Sequence, residues 1–116
     1  MAPRDHERLI HMLAAARRAI SLTEGRSRSD LDEDDVVVLA LTRLLEILGE
    51  AAKSVSPETK TMHPHVPWPQ MAATRDRIIH GYFSIDLDIV WQIVRHDLPP
   101  VVAALEAMSL DEEQGG

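Results

Sequence analysis

The stretch from Asp32 to Val55 constrains this chain more than any other. Val37, Leu41, Leu44, Leu48, Ala51 and Val55 follow one another at alternating spacings of four and three, and Val38, Leu45 and Ala52 form a parallel row. That spacing lays an apolar stripe along one side of a helix. Val36, Leu39, Ala40 and Ile47 carry apolar character onto further faces. A helix so apolar around its circumference must be central in a bundle or shared with another subunit. Pro57 closes it.

The rest of the chain supplies helices to pack around it. From Arg4 to Leu22, Leu9, Leu13, Ala16 and Ile20 form a stripe that Met12 and Ala19 widen, and Gly25 suits its stop. Ser27 to Ser29 read as a polar loop, with Asp30 and Glu33 as a capping pair for the second helix. The connector from Ser56 to Pro69 holds four prolines and predicts a single helical turn at Pro57 to Thr61. Pro69 suits the first turn of a third helix running to His80, with Gly81 as its stop. Asp86 caps a fourth, whose Leu87, Val90, Trp91, Val94 and Leu98 face the core. Pro99 and Pro100 must kink or restart that helix before Val101, Leu105 and Met108 finish the packing. No strand pattern or internal repeat is visible. The expected fold is all-α: an antiparallel four- to five-helix bundle, its last helix broken at Pro99-Pro100. A single domain over 1–110 and an acidic, glycine-ending tail over 111–116 complete the expectation.

Composition narrows the function. A chain of 116 residues suits one domain. The absence of cysteine excludes a disulfide scaffold, cysteine-ligated zinc and thiol catalysis. No apolar run approaches the roughly 20 residues of a spanning helix, and Met1 to Glu7 is charged with no signal-like stretch behind it. A soluble, cytoplasmic protein away from membranes is expected. Twelve basic against 19 acidic residues give a net charge of −7, which argues against a protein coating DNA or RNA along its backbone. A nuclease using a few cations at one site is compatible with that sum.

The third helix holds an anomaly. Met71, Ala72, Ile78 and Ile79 set its apolar phase, and the position that should complete the stripe is Arg75. A cation in mid-stripe must find an acid or face a pocket, since burying it unpaired is costly. Glu46 and Glu50 on the second helix are candidate partners; an anion site is the alternative. His80 lies five residues on, about 140° around a regular helix from Arg75. The two converge only if the helix ends at His80 or a second subunit completes the site. Arg77 lies on the His80 side, as an RNA contact or a plain surface arginine. His63-Pro-His65 has no further ligand cluster with metal spacing, so neither metal nor cofactor is expected. Trp68 and Trp91 fall in apolar pattern and read as core.

Arg75-Asp-Arg-Ile-Ile-His80-Gly-Tyr82 matches R-x-x-x-x-H-x-Y, and the chain here resembles the HepT-like toxins of the HEPN family. Arg43-Leu-Leu-Glu-Ile-Leu-Gly-Glu-Ala-Ala52, Pro67-Trp68, Ile85-Asp-Leu-Asp-Ile-Val-Trp91 and Asp97-Leu-Pro-Pro100 extend the likeness over most of the chain. The resemblance implies an α-helical bundle, dimeric or of higher order, acting as a metal-independent ribonuclease. Arg75 and His80 would meet across the subunit interface. It further implies a separately encoded minimal nucleotidyltransferase as antitoxin, which adenylylates Tyr82. Metal-free RNA cleavage needs proton transfer at the 2′-hydroxyl and the 5′-oxygen, which suits His80. It also needs positive charge on the phosphorane, which suits Arg75. The alternative is a non-enzymatic helical subunit that binds the nucleotidyltransferase as a scaffold.

Overall fold

The computed structural model describes residues 2–80, 84–108 and 110. Among them the chain runs α1 (Asp5–Thr23), a 3₁₀ turn (Arg28–Asp32), α2 (Asp35–Ser54), α3 (Pro57–Met62), α4 (Trp68–Ala72) and α5 (Thr74–Ile78). Two short strands follow, β1 (Ile79–His80) and β2 (Ser84–Ile85). Then come α6 (Leu87–Gln92), a π-helical turn (Ile93–Asp97) and α7 (Leu98–Glu106). No described helix is long and apolar enough to cross a membrane.

The long apolar helix takes the central place its pattern demands. Val37, Leu41, Leu44, Leu45, Leu48 and Ala52 of α2 are all buried. They join Leu9, Met12 and Ala16 of α1, Met71 of α4, Ile78 of α5, and Val101 and Leu105 of α7 in one continuous core. α1 lies along α2 and is tied to the end of it where Arg8 donates to the Ser54 carbonyl at 2.7 Å. At its other end α1 meets α7 through Arg17 and Glu106, 2.7 Å apart.

The start of α2 lies three residues later than the acids predict. Ser27 donates its amide to Asp30 Oδ2 at 2.8 Å, so Asp30 closes the 3₁₀ turn instead of capping α2 with Glu33. Buried Leu31 anchors that turn. Asp34 is the cap that α2 uses, its Oδ1 accepting from the Val37 amide at 3.1 Å.

The third helix differs more. The continuous helix expected from Pro69 to His80 is two short helices that meet at Ala73, and the second ends at Ile78. Thr74 is fully buried there, its hydroxyl donating to the Met71 carbonyl at 2.7 Å. The inward row is therefore Met71, Thr74 and Ile78, at i, i+3 and i+7. Arg75 sits one position past it and is exposed. The cation in mid-stripe was an artefact of passing over a polar residue that the core accepts because its hydroxyl is bonded.

His80 leaves the helix altogether and joins an antiparallel ladder in which Ile79 faces Ile85 and His80 faces Ser84. Strands of two residues are too short for alternation to register in a sequence. In the last helix the interruption falls one turn before the prolines. Pro99 and Pro100 cannot donate, and their rings would press on the carbonyls of Arg95 and His96. The π turn over Ile93–Asp97 widens the coil at that point, with Leu98 donating to the Ile93 carbonyl across five residues, and α7 continues from there.

A buried carboxylate locks α1 to α3. Asp5 is fully buried and accepts from the Ser56 amide at 3.0 Å, the Ser56 hydroxyl at 2.5 Å and the Thr59 hydroxyl at 2.6 Å. Burial pushes its pKa up, but the Ser56 and Thr59 hydroxyls and the backbone amides outweigh that and hold it below the ordinary value of 3.8. A depressed carboxyl pKa contributes stability that is present above the unfolded value and lost as pH falls through the folded one. Asp5→Ala should cost roughly 2–4 kcal/mol, since it strands three donors. Urea melts of the wild type should weaken below about pH 4, and the Asp5→Ala protein should lose part of that acid dependence.

Candidate active site

α5 and the hairpin carry the chemistry-bearing residues, and α2 fixes their position from beneath. Gly49 of α2 packs against the α4–α5 junction so closely that a Cβ there would lie 3.2 Å from the Met71 carbonyl oxygen and 3.6 Å from that of Ala72. The missing side chain lets the two backbones approach. Met71 and Thr74 are thereby seated in the core and Arg75 is turned out.

Arg75 is exposed and, among the described residues, its side chain makes no hydrogen bond or ion pair. Neither expected carboxylate meets it. Glu46 pairs with Arg43 at 3.4 Å along α2, and exposed Glu50 borders a surface groove with Arg8, His11, Arg43, Ile47 and Ser54. The α1–α2 face, where that groove lies, supplies none of the motif residues. The guanidinium of Arg75 therefore keeps its donors for a ligand.

Arg77 is committed elsewhere. Its Nη2 donates to Asp97 Oδ2 at 3.0 Å, and the pair is partly buried. Asp97 ends the π turn, so this ion pair ties α5 to the last helix. Arg77 is thus a partly buried, ion-paired side chain and not the plain surface arginine.

The side chain of His80 is 60% exposed, and its Nε2 lies 3.0 Å from Asp86 Oδ2. Asp86 was legible only as a helix cap, and it is one: its Oδ1 accepts from the Ile89 amide at 3.1 Å. Its own amide donates to the Ile78 carbonyl at 2.7 Å, which joins the end of α5 to the start of α6. One residue thus caps α6, closes the hairpin and holds the histidine. The Ile89 amide foremost, and His80 after it, hold the Asp86 carboxyl below the usual 3.8. No hydrogen bond or ion pair joins Arg75 to His80 among the described residues. Tyr82, and the tail over 111–116, lie outside the described residues.

The all-α bundle thus presents an exposed arginine on α5 and a carboxylate-bound histidine on the hairpin that follows it. The model of the Ribonuclease HepT-like family matches residues 12–108, and the chain belongs to that family. A protein of Thermococcus cleftensis named "Probable ribonuclease HepT" is 35% identical over 109 residues, which are 90% of this chain and 96% of that one. A "Putative RNase" of Caldanaerobacter subterraneus subsp. tengcongensis is 36% identical over 91 residues, covering 78% of this chain and 81% of its own. Another of that name, from Methanocaldococcus jannaschii, is 31% identical over 107 residues, covering 91% and 98%. No solved structure matches.

The seat of α5 can be tested directly. Gly49→Ala sets a gain of about 1 kcal/mol in helix propensity against the contact with the Met71 carbonyl, so the net change should be small. Gly49→Val has no such offset and should lose about 2 kcal/mol or more in urea melts, because the nearest atom is backbone and cannot rotate away.

Proposed function

We propose that this protein is the toxin of a toxin–antitoxin pair, an endoribonuclease that needs no metal and is silenced when a partner nucleotidyltransferase adenylylates Tyr82. The observation that carries the reading is the pair of exposed groups in the R-x-x-x-x-H-x-Y motif. One is a guanidinium with free donors at Arg75; the other is an imidazole oriented by a carboxylate at His80. The family membership makes RNA the substrate class.

In the proposed step His80 takes the proton of a 2′-hydroxyl, and the 2′-oxygen bonds to the adjacent phosphorus. The P–O5′ bond breaks, and the leaving 5′-oxygen receives a proton from a second, protonated His80. Arg75 neutralises the phosphorane oxygens. The products are a 2′,3′-cyclic phosphate and a 5′-hydroxyl. Two histidines call for two subunits. Self-association is supported by α2, whose Val36 and Leu39 are 75% and 69% exposed after the core has taken the rest of the stripe. Silencing follows if the Tyr82 oxygen attacks the α-phosphorus of ATP and releases pyrophosphate. The attached AMP would bring a negative phosphodiester two residues from His80 and compete for Arg75.

A scaffold role is the second reading, favoured by the net charge of −7, which is unusual for a protein that holds RNA. Such a subunit has no use for a free Arg75 beside an oriented His80.

Cleavage of RNA should persist in EDTA and fall on the order of 100-fold or more in Arg75→Ala and in His80→Ala. Folded variants that cleave as well as wild type, or a strict need for Mg²⁺, would show the assignment to be wrong. Light scattering at micromolar concentration should give at least a dimer; a monomer of 13.0 kDa would remove the composite site. Incubation with the partner nucleotidyltransferase, ATP and Mg²⁺ should add AMP masses that map to Tyr82. Tyr82→Phe should take none and escape neutralisation.

A further inference from the structure

We propose that Asp86 is a positioning residue for the reaction, fixing the proton of His80 on Nε2 so that Nδ1 is the nitrogen that exchanges protons with RNA. The inference rests on the ribonuclease reading of His80 and adds which atom of the ring acts and what selects it.

The geometry leaves little choice. Asp86 is held at three points: its Oδ1 by the Ile89 amide, its own amide by the Ile78 carbonyl, and its Oδ2 against His80 Nε2. The ladder pairing of His80 with Ser84 sets the histidine backbone opposite the strand that leads into Asp86. Asp86 cannot turn away without uncapping α6, and the ladder keeps the His80 backbone within its reach. A carboxylate has no proton to give, and the amide contacts keep this one ionised through the neutral range. Nε2 must therefore be the donor. The neutral ring then carries its lone pair on Nδ1, and no described residue bonds to that nitrogen.

The same arrangement serves both halves of the cleavage. A neutral His80 accepts the 2′-hydroxyl proton at Nδ1 while Nε2–H stays on Asp86. A protonated His80 gives the 5′-oxygen its proton from Nδ1–H and returns to the Nε2–H form. Neither role requires the ring to flip or the tautomer to change, so the two subunits can exchange acid and base duties between turnovers.

Asp86→Asn separates this role from a structural one. Asparagine is as good an N-cap as aspartate, so its carbonyl oxygen keeps the Ile89 bond and α6 stays capped. What then faces His80 is an NH₂ group, which can only donate. Nε2 must become the acceptor and the proton must move to Nδ1. Long-range ¹H–¹⁵N spectra of the ¹⁵N-labelled protein report which ring nitrogen carries the proton. Wild type should show the Nε2–H form and Asp86→Asn the Nδ1–H form. With an end-labelled, mixed-sequence RNA oligonucleotide, kcat should fall on the order of 100-fold with KM little changed. Asp86→Ser keeps a cap without any partner for the ring, and should give mixed tautomers and a smaller loss.

An Asp86→Asn protein that folds and keeps the Nε2–H form would overturn the proposal. So would one that switches tautomer yet cleaves at the wild-type rate; if asparagine does not fold, the serine variant answers the same two questions. The ribonuclease reading fails separately, through wild-type cleavage by His80→Ala, and the spectra still read the Asp86–His80 contact in that case.

Discussion

The contact on which the rest of the structure depends is the close approach of α2 to the α4–α5 junction at Gly49. α2 buries a broad apolar stripe, and a glycine on one face lets another backbone come within reach. That approach puts Met71 and Thr74 under α2 and fixes the rotational phase of α5. Once the phase is set, Ile78 points inward and Arg75 outward, with no side-chain partner among the described residues. An exposed cation is thus displayed by packing beneath it. The hydrophobic burial that stabilises the bundle also decides where its charge is presented.

Electrostatics around the site follow a similar division of labour. The acids outnumber the bases overall, yet three carboxylates near the motif are already engaged. Asp97 is taken by Arg77, Glu46 by Arg43, and Asp86 by His80 and a helix terminus. Arg77 and Asp97 neutralise each other and bind α5 to the last helix, while the Arg75 guanidinium makes no ion pair among the described residues. A net charge of −7 spread over the molecule opposes long-range attraction of RNA. Binding must then rest on short-range contacts at the site, which favours a small number of phosphates over an extended track.

The all-α architecture was legible because α2 announces itself through an unbroken 3.6-residue period, and α1 and the last helix answer it. The sequence motif named the candidate residues, but the local form that carries them was not legible. Thr74 concealed the true phase of α5, since a polar side chain does not read as core until its hydroxyl is seen bonded to Met71. The hairpin was invisible because two residues per strand cannot show a period. With the hairpin hidden, His80 looked like a helix end and Asp86 like an ordinary cap, so their contact had no signal beyond a spacing of six. The Glu46 and Glu50 partnerships failed for the same reason as the phase of α5: they assumed an arginine that faced inward.

The π turn at Ile93–Asp97 has a consequence for the register of the last helix. A π turn houses one residue more than the α-helical turn it replaces, and each residue of an α-helix advances the face by about 100°. Leu98, Val101 and Leu105 pack on the core only because that extra residue is absorbed upstream of them. The chain from Ile93 onward is therefore out of step with Leu87 and Val90 by one position. A relative with an unbroken last helix must either be one residue shorter here or carry its apolar stripe one place earlier.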